Sequence, residues 1–491
     1  SHYVGSPASG GGLGTQGYYV TKNYFEHGGA TTVKQEALYI EDRWHVTDTL
    51  LVSLGLRNDG FTNYNGNGEA YVEQKNNWAP RIGFSWDVNG DSSFKVFGNA
   101  GRYHLALPNN VSVRGSNPSL STAQYFTYTG IAADGTPTGL STIPYTNANS
   151  PYTCANGGMS SNVECGYYKD PRTIAQVDLK PHYQDEYILG MERTESEAFS
   201  WGAKATYRDL KNAIDDICPT ECFIFNAGTN VATFWEDDGT GNLVQVTHDF
   251  AAEFGSAFPD LKRKYLALDM YAQYRKGDFS GRIDYTLSHN WGNAEGQLNS
   301  SVDTGNGGQG DVSVTQDWDL PELMYGVDGS LPNNRTHQFK MFGSYRITDE
   351  WRVGGSGIMQ SGRPRSCYSY WPYAKPGIYN GAYYSYCGVP GAQTAVNNPN
   401  VVPNADYVYS PRGSLGETPW TATINANVTY TPKWLDGLTL AMDVLNLFDT
   451  QPATGYYERS ASSRTTVNPR YGQVLYYANP RSVRFTARYD F

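Results

Sequence analysis

The chain ends in the stretch SVRFTARYDF, residues 482–491, in which apolar and polar side chains alternate without a break. Side chains of a β-strand repeat with a period of two, so this stretch predicts a strand with one apolar and one polar face. The apolar face comprises Val483, Phe485, Ala487, Tyr489 and Phe491, whereas the opposite face comprises Ser482, Arg484, Thr486, Arg488 and Asp490. Charged and small polar residues occupy the second face here and in the other segments with this pattern. This distribution suits a water-filled lumen on one side and a lipid-facing surface on the other.

The same alternation recurs upstream in pairs of segments joined by brief polar turns. Thr47-Asp48-Thr49 connects the first pair, and Asn89-Gly90-Asp91 connects the second. Further pairs are 183–193 with 199–213, 263–275 with 279–291, 335–347 with 351–360, and 419–431 with 438–448. Counting segments with this period predicts about 13 strands, or about 14 if Gly17 to Phe25 is one.

The connections between these pairs are long, at about 108–181, 215–262, 292–334, 361–418 and 449–481. Short turns at one end and long loops at the other are typical of outer-membrane barrels, whose short turns are periplasmic and whose long loops are extracellular. Lipid cannot hydrogen-bond to exposed backbone, so such a sheet leaves no free edge. The predicted fold is therefore an all-β, transmembrane antiparallel β-barrel in the outer membrane of a Gram-negative bacterium. Aromatic residues near the strand ends fit interfacial girdles: Trp44, Trp78, Trp86, Trp201, Trp291, Trp351, Trp420 and Tyr489.

Composition excludes several other classes of protein. Aromatic residues make up 14% of the chain and charged residues only 17%, with 39 Tyr and 53 Gly, which favours strands and turns over helices. No apolar run approaches the roughly 18 to 20 residues of a membrane helix. A net charge of -11 argues against nucleic acid as a partner, because phosphate binding requires a basic patch, and it fits a solubilising acidic surface.

Six cysteines fall into three local sets within or beside the long loops. An even count in such positions predicts disulfides formed in an oxidising compartment, joining Cys154 to Cys165, Cys218 to Cys222, and Cys367 to Cys387. The short ring at Cys218 and Cys222 restricts disulfide geometry. That pair has the spacing of half a zinc site, but no second Cys or His pair lies near it in sequence, so no metal is predicted there.

Three segments resemble TonB-dependent outer-membrane receptors, in particular the Oar-like branch. The first runs from Glu36 to Asp59 and includes Gly55-Leu56-Arg57, with Asn58 where the family usually has an aromatic residue; the second is Ala79 to Ser85. The third is Asn446-Leu447-Phe448-Asp449, followed by a last strand that ends in Phe491. Together these segments span nearly the whole chain.

The resemblance implies a 22-stranded barrel with an N-terminal plug and a short box that engages TonB. Residues 1–491 are accordingly expected to be the C-terminal portion of a single barrel domain, with the plug absent from this chain. The resemblance also implies that Phe485, Tyr489 and Phe491 form the signal read by the barrel-insertion machinery. A last strand whose outer face simply meets lipid would show the same residues.

Binding residues are most concentrated in the loop between Cys367 and Cys387. Tyrosine and tryptophan give a large amphipathic contact area at low entropic cost, and a disulfide would preorganise them. The candidate ligand-binding residues are Tyr368, Tyr370, Trp371, Tyr373, Tyr379, Tyr383, Tyr384 and Tyr386. The equally weighted alternative is that these rings pack against one another. Arg363 and Arg365 at the loop base are candidates to face an anionic ligand or the phosphates of lipopolysaccharide, although solvated charges would look the same.

Neither a catalytic motif nor a metal-binding motif stands out in the sequence. The eight histidines are scattered, and no nucleophile elbow, phosphate-binding loop or zinc-protease motif occurs, so the chain is not predicted to be an enzyme and no cofactor is expected. Calcium could bind acidic clusters, but their spacing matches no EF-hand. Those clusters are Glu236-Asp237-Asp238 and the set Asp303, Asp311, Asp317, Asp319 and Glu322.

The resemblance favours TonB-coupled uptake of an unidentified ligand, with TonB engaged through a missing N-terminal region. Expected partners are outer-membrane lipid, lipopolysaccharide and the insertion machinery. Two alternatives stay open. One is a passive channel or fatty-acid-type transporter built from a closed barrel of about 14 strands. The other is a surface adhesion or export barrel.

Overall fold

The computed structural model describes residues 2–5, 19–27, 29–107, 116–143, 152–154, 159–160, 165–217, 223–295, 317–372, 381–391 and 407–491. Within these residues, the short strand Gly329–Ser330 joins a 14-stranded antiparallel sheet, whose other thirteen strands form a wall, each paired with the wall strands next to it in chain order. We number them β1 to β13: Thr32–His45, Leu50–Tyr64, Ala70–Asp87, Phe94–His104, Tyr183–Thr194, Phe199–Lys211, Arg263–Lys276, Phe279–Gly292, His337–Arg346, Trp351–Gln360, Thr421–Tyr430, Leu438–Leu445 and Ser482–Tyr489. The predicted all-β barrel wall is confirmed.

Shorter elements lie in the connections between the wall strands. Tyr19–His27 pairs with Ser119–Thr127 in a separate sheet, so the alternative that residues 17–25 supply a fourteenth wall strand is wrong. The helical elements described are the α-helix Phe250–Phe254 and the 3₁₀ helices Pro171–Thr173 and Pro321–Met324. The short strands are His2–Gly5, Tyr19–His27, Ser119–Thr127, Gly130–Ile131, Pro137–Thr138, Ser141–Thr142, Tyr152–Thr153, Met159–Ser160, Ile214–Ile217, Phe223–Asn226, Val231–Asp237, Leu243–Asp249, Gly329–Ser330, Tyr386–Cys387, Val408–Tyr409, Ala453–Tyr456 and Val474–Tyr477. Over the described ranges, no helix is both long enough and apolar enough to cross a bilayer.

Connections at one end of the wall are brief and those at the other end are mostly long, as predicted. One exception is the extracellular connection between β2 and β3, which is only residues 65–69. At this end of the wall, β2 and β3 both extend well beyond the residues that the alternating pattern identified as strand.

Residues of β3 before Arg81 pair only with β2, because the pairing of β3 with β4 begins at Arg81. Pro80 is the last residue before that second pairing begins. Proline has no N–H to donate, so it suits this position at the end of a ladder.

The two faces of the wall differ in chemistry, because directly paired residues share a face. In β12 and β13, Met442 lies opposite Phe485 and Val444 lies opposite Val483, whereas Asp443 lies opposite Arg484. The register between neighbouring strands keeps apolar residues on one face and polar residues on the other across the wall. The apolar face holds large exposed side chains, including Leu38, Ile40, Leu54, Ile82, Phe84, Leu189, Leu268, Ile283, Met341, Met442 and Phe485. This face meets lipid, and Phe485 therefore lies on the predicted side.

The polar face is lined by ion pairs between neighbouring strands. Lys95 lies 2.6 Å from Glu192, and Lys204 lies 3.6 Å from Asp269. Arg484 and Asp443 extend this pattern to the last strand, at 2.9 Å. A recess of about 690 Å³ opens on this face between β4 and β9. This is the water-exposed lumenal side that the charged residues of the sequence predicted.

The first and last strands of the wall are its edges. Among the described residues, β1 pairs only with β2, and β13 pairs only with β12. Every side chain of β13 is exposed, as are all but one in β1. The alternative of a self-contained barrel would require β13 to pair with β1, and this pairing is not found within the described part of the chain.

Replacing Ala487 with arginine should destabilise the wall by roughly 2–4 kcal/mol if position 487 lies near the bilayer midplane, and by less near an interface. Ala487 lies opposite Leu440 on the apolar face, so the new charge would enter hydrocarbon. The measurement is equilibrium unfolding of the protein in lipid vesicles. Thr486→Arg, one residue away on the polar face, is the control and should have little effect. Equal destabilisation by both variants would contradict the assignment of the faces.

Candidate ligand-binding surface

The long loops pack together above the wall around their own apolar core. Phe223, Phe225 and Phe234 come from two short hairpins, Phe250 comes from the α-helix, and Trp318 comes from the next long loop. Phe250 and Phe234 are fully buried, with ring centroids 6.4 Å apart. Because these buried rings pack against one another, the loops that carry them have a fixed arrangement. We call this assembly the loop layer.

Disulfides join two of the three predicted cysteine pairs. Cys154 is bonded to Cys165, with Cα atoms 5.8 Å apart, and Cys367 is bonded to Cys387, with Cα atoms 5.3 Å apart. Both predicted pairings are confirmed. Cys218 and Cys222 lie outside the described residues, so their pairing stays a prediction.

Aromatic rings from two long loops meet beside the Cys367–Cys387 disulfide. We define the aromatic cluster as Tyr325, Trp371, Tyr384, Tyr386, Tyr407 and Tyr409. Tyr386 stacks on Tyr407 with centroids 5.0 Å apart, and Tyr325 lies 4.9 Å from Tyr409. Tyr384 is buried, whereas Tyr325 and Tyr409 are 51% and 46% exposed. The buried rings therefore support an exposed aromatic surface formed by Tyr325 and Tyr409.

The residues predicted between Cys367 and Cys387 divide into two groups. Tyr368 and Tyr384 are buried, in keeping with the alternative that these rings hold the loop. Tyr370, Trp371, Tyr383 and Tyr386 are only partly buried. Tyr373 and Tyr379 lie outside the described residues. Tyr325 and Tyr409 were not predicted. Tyr325 belongs to another long loop, Tyr409 follows the disulfide-linked segment in the same connection, and no local spacing links either residue to that segment.

The two arginines at the loop base contact the loop layer itself. The Arg363 guanidinium lies 3.5 Å from the carboxylate of Glu458, which is 1% exposed. The Arg365 guanidinium lies 4.1 Å above the ring of Tyr456, in a cation–π arrangement. These contacts favour a role in supporting the loops over direct contact with an anionic ligand.

Among the acidic residues singled out as possible calcium ligands, Asp317, Asp319 and Glu322 are buried, whereas Asp237 and Asp238 are exposed and accept hydrogen bonds from the backbone of their own turn. Asp317 lies 3.5 Å from the guanidinium of Arg412, and Glu322 accepts a hydrogen bond from Ser256. Burial raises the pKa of nearby Asp215, and the charges of Asp216 and Asp317 raise it further. In the described ranges, no group of three or more His, Cys, Asp or Glu side chains is placed to hold a metal ion. Asp303 and Asp311 lie outside those ranges.

His248 lies between two carboxylates in the hairpin formed by Val231–Asp237 and Leu243–Asp249. Its Nε2 atom is 2.5 Å from Glu236, and its Nδ1 atom is 3.0 Å from Glu253. Burial lowers the pKa of His248, but the hydrogen bonds to Glu253 and Glu236 outweigh burial, so the pKa is raised overall. When it is protonated, the imidazole therefore links the hairpin to the helix Phe250–Phe254 through two charge-assisted hydrogen bonds.

Stability of this hairpin should fall as pH rises. A histidine with a raised folded-state pKa stabilises fully below its unfolded value of about 6.5, and that contribution is lost as pH rises through the folded value. Hydrogen exchange of residues 231–249, measured between pH 6 and 9 and corrected for intrinsic exchange, checks this. His248→Gln should remove most of the pH dependence. A pH dependence that persists unchanged in this variant would contradict the assignment.

An antiparallel wall with one apolar and one charged face, brief turns at one end and an organised loop layer at the other, defines an outer-membrane β-barrel. The model of the family described as TonB dependent receptor-like, beta-barrel, matches residues 3–447. The chain therefore belongs to this family, whose members are receptors and transporters located in the Gram-negative outer membrane.

The chain is similar to one curated relative and to several solved structures. The TonB-dependent transporter Oar of Myxococcus xanthus is 26% identical over 505 residues; the match covers 92% of this chain and 42% of Oar. The chain thus spans less than half the length of that relative. The siderophore receptor PirA of Acinetobacter baumannii is 16% identical with a TM-score of 0.43, over 97% of this chain and 47% of PirA. The outer membrane transporter YddB of Escherichia coli is 12% identical with a TM-score of 0.47, over 97% and 55% respectively.

Proposed function

We propose that residues 1–491 form the C-terminal portion of the barrel of a receptor that imports a ligand by coupling to TonB. The plug and the TonB-engaging box would belong to a region outside these residues. The supporting observation is the pair of wall edges at β1 and β13, which lack a second neighbour among the described strands. Unpaired backbone groups in lipid cost several kcal/mol each, so further strands of the same barrel are their natural partners.

The aromatic cluster is the proposed ligand-contacting surface. Tyr325 and Tyr409 offer exposed ring surface, and Trp371 and Tyr386 pack against them from the disulfide-linked loop. Rings held in place by packing lose little conformational freedom when a ligand binds. A ligand with an apolar or aromatic face would suit this surface.

The test is a comparison of nutrient removal from culture medium by cells that express the full-length receptor. We expect compounds removed by the receptor to remain in the medium when either the receptor or TonB is deleted. Stacking contacts contribute about 0.5–1.5 kcal/mol each, so the double variant Tyr325→Ala with Tyr409→Ala should reduce uptake at low ligand concentration by roughly tenfold.

Tyr167→Ala is the matched control for this double variant, because Tyr167 is a loop tyrosine that is also 51% exposed. Its uptake should equal that of the unmodified receptor, at equal surface expression. Uptake that persists without TonB would refute energy coupling and favour a passive channel. Uptake that is unaffected by the double variant would refute the ligand-contacting role of the cluster.

A further inference from the structure

A second recess lies on the lipid-facing side of the wall, away from the loops. It has a volume of about 470 Å³ and spans β6 to β11. Its floor includes Gly281, Gly343 and Gly355, which lie opposite one another on three neighbouring strands. Its flanks are large apolar side chains: Phe199, Tyr274, Phe279, Ile283, Met341 and Ile424. The recess is thus a groove in the outer surface of the barrel, and we call it the wall groove.

The position of the wall groove along the strands places it in the periplasmic half of the membrane. Tyr274 and Phe279 flank it, with ring centroids 6.1 Å apart, and they stand on either side of the brief turn at residues 277–278. Brief turns of an outer-membrane barrel are periplasmic. A molecule that fills this groove therefore comes from the inner leaflet of the outer membrane.

A cation stands at the periplasmic end of the groove. Lys276 lies directly opposite Phe279 and is exposed on the same face. Within the described residues, its ammonium group makes neither an ion pair nor a side-chain hydrogen bond. The carboxylate of the adjoining turn, Asp278, is instead paired with Arg346 at 2.6 Å. Lys276 is therefore left with an unneutralised charge at the depth of lipid headgroups.

We propose that the wall groove binds one acyl chain of an inner-leaflet phospholipid, whose phosphate contacts Lys276. The apolar flanks match a hydrocarbon chain, and the absent side chains at Gly343 and Gly355 give that chain room to lie against the backbone. The lysine matches the anionic phosphate, since basic side chains beside an apolar pocket select lipid headgroups. This site does not depend on the proposed transport function, because it requires only the membrane-embedded wall.

The first test uses the unmodified full-length receptor in outer-membrane vesicles. Phosphatidylethanolamine with a photoreactive diazirine on one acyl chain is added, and cross-linked peptides are identified by mass spectrometry. We expect cross-links concentrated at Ile283, Met341 and Ile424. Cross-links spread evenly around the wall would overturn the proposal. Preferential capture of diazirine-labelled lipopolysaccharide at these three residues would also overturn it.

The second test fills the groove. A Cβ atom at Gly355 would first meet the backbone oxygen of Asn425 at 3.4 Å, an ordinary contact, so Gly355→Leu should fold. The new side chain would displace part of the lipid acyl chain, so cross-linking should fall by about tenfold. This corresponds to roughly two methylene groups of the lipid that are no longer buried. Ala205→Leu is the control, because Ala205 is exposed on the same face but lies outside the groove. Cross-linking in Gly355→Leu equal to that of the control would refute the site.

The third test addresses the headgroup and involves no packing change. Lys276→Gln should reduce retention of phosphatidylethanolamine by the purified receptor, as measured by native mass spectrometry. Lys433→Gln removes a lysine from the same rim that is paired with Asp349, so it serves as the matched control. An equal loss of lipid in both variants would show a general charge effect and would contradict the role assigned to Lys276.

Discussion

Replacing Phe250 with alanine should destabilise the loop layer by about 3–5 kcal/mol, the range measured when a buried phenylalanine is truncated. Phe250 is fully buried and lies between several rings, with centroids 6.0 Å from both Phe254 and Phe258. Hydrogen exchange across residues 223–258 should accelerate strongly, whereas exchange in the wall strands should not change. Phe448→Ala, at a residue that is 68% exposed, is the control. Retained protection in residues 223–258 would contradict the view that these loops share one core.

Removing the carboxylate of Asp317 should have an effect of similar size. Arg412 is 3% exposed and lies 3.5 Å from Asp317, so Asp317→Ala would deprive a buried guanidinium of this ion-pair partner. Breaking a buried ion pair in this way costs about 3–5 kcal/mol. The backbone N–H of Arg412 donates to the carbonyl of Gly326, directly beside Tyr325. We therefore expect the exposed rings of the aromatic cluster to lose their arrangement.

The double variant Asp317→Leu with Arg412→Met separates the charge from the packing. Apolar replacement of both partners of a buried pair is often neutral, so this variant should recover much of the lost stability. Tyrosine fluorescence quenching and hydrogen exchange at residues 325–331 and 407–412 would report the recovery. If the double variant is less stable than Asp317→Ala, the ion pair itself stabilises these segments. The loss of stability in Asp317→Ala is then not explained by an unpaired buried charge.

The period-two pattern predicted the wall because lipid and water impose opposite requirements on alternate residues. Residues 482–491 illustrate this, since the register places Phe485 beside Met442 and Arg484 beside Asp443. The upper parts of β2 and β3 were missed because they stand beyond the membrane, where both faces meet protein or water. Tyr19–His27 has the composition of a wall strand, but its partner is another loop segment, which a sequence pattern does not reveal.

The candidate site was predicted only where its residues are close in sequence. The Cys367–Cys387 loop was identified from its tyrosines and its cysteine pair, and the disulfide is present. Tyr325 and Tyr409 contact that loop only through the tertiary structure, so the most exposed part of the cluster could not be predicted from local sequence. Arg363 was a candidate to face an anionic ligand, but its partner, Glu458, is 95 residues away in the chain and could not be anticipated.

Cysteine cross-linking between the two wall edges, in the full-length receptor in cells, tests the central claim most directly. Phe485→Cys would be combined in turn with Glu36→Cys, Leu38→Cys, Ile40→Cys or Asp42→Cys, which cover the same face of β1 over several registers. Phe485→Cys with Met442→Cys is the positive control, because these residues are direct partners. If β1 and β13 are edges of one larger barrel, only the control should cross-link upon oxidation. Efficient cross-linking of β13 to β1 would show that these thirteen strands close on themselves and would contradict the account.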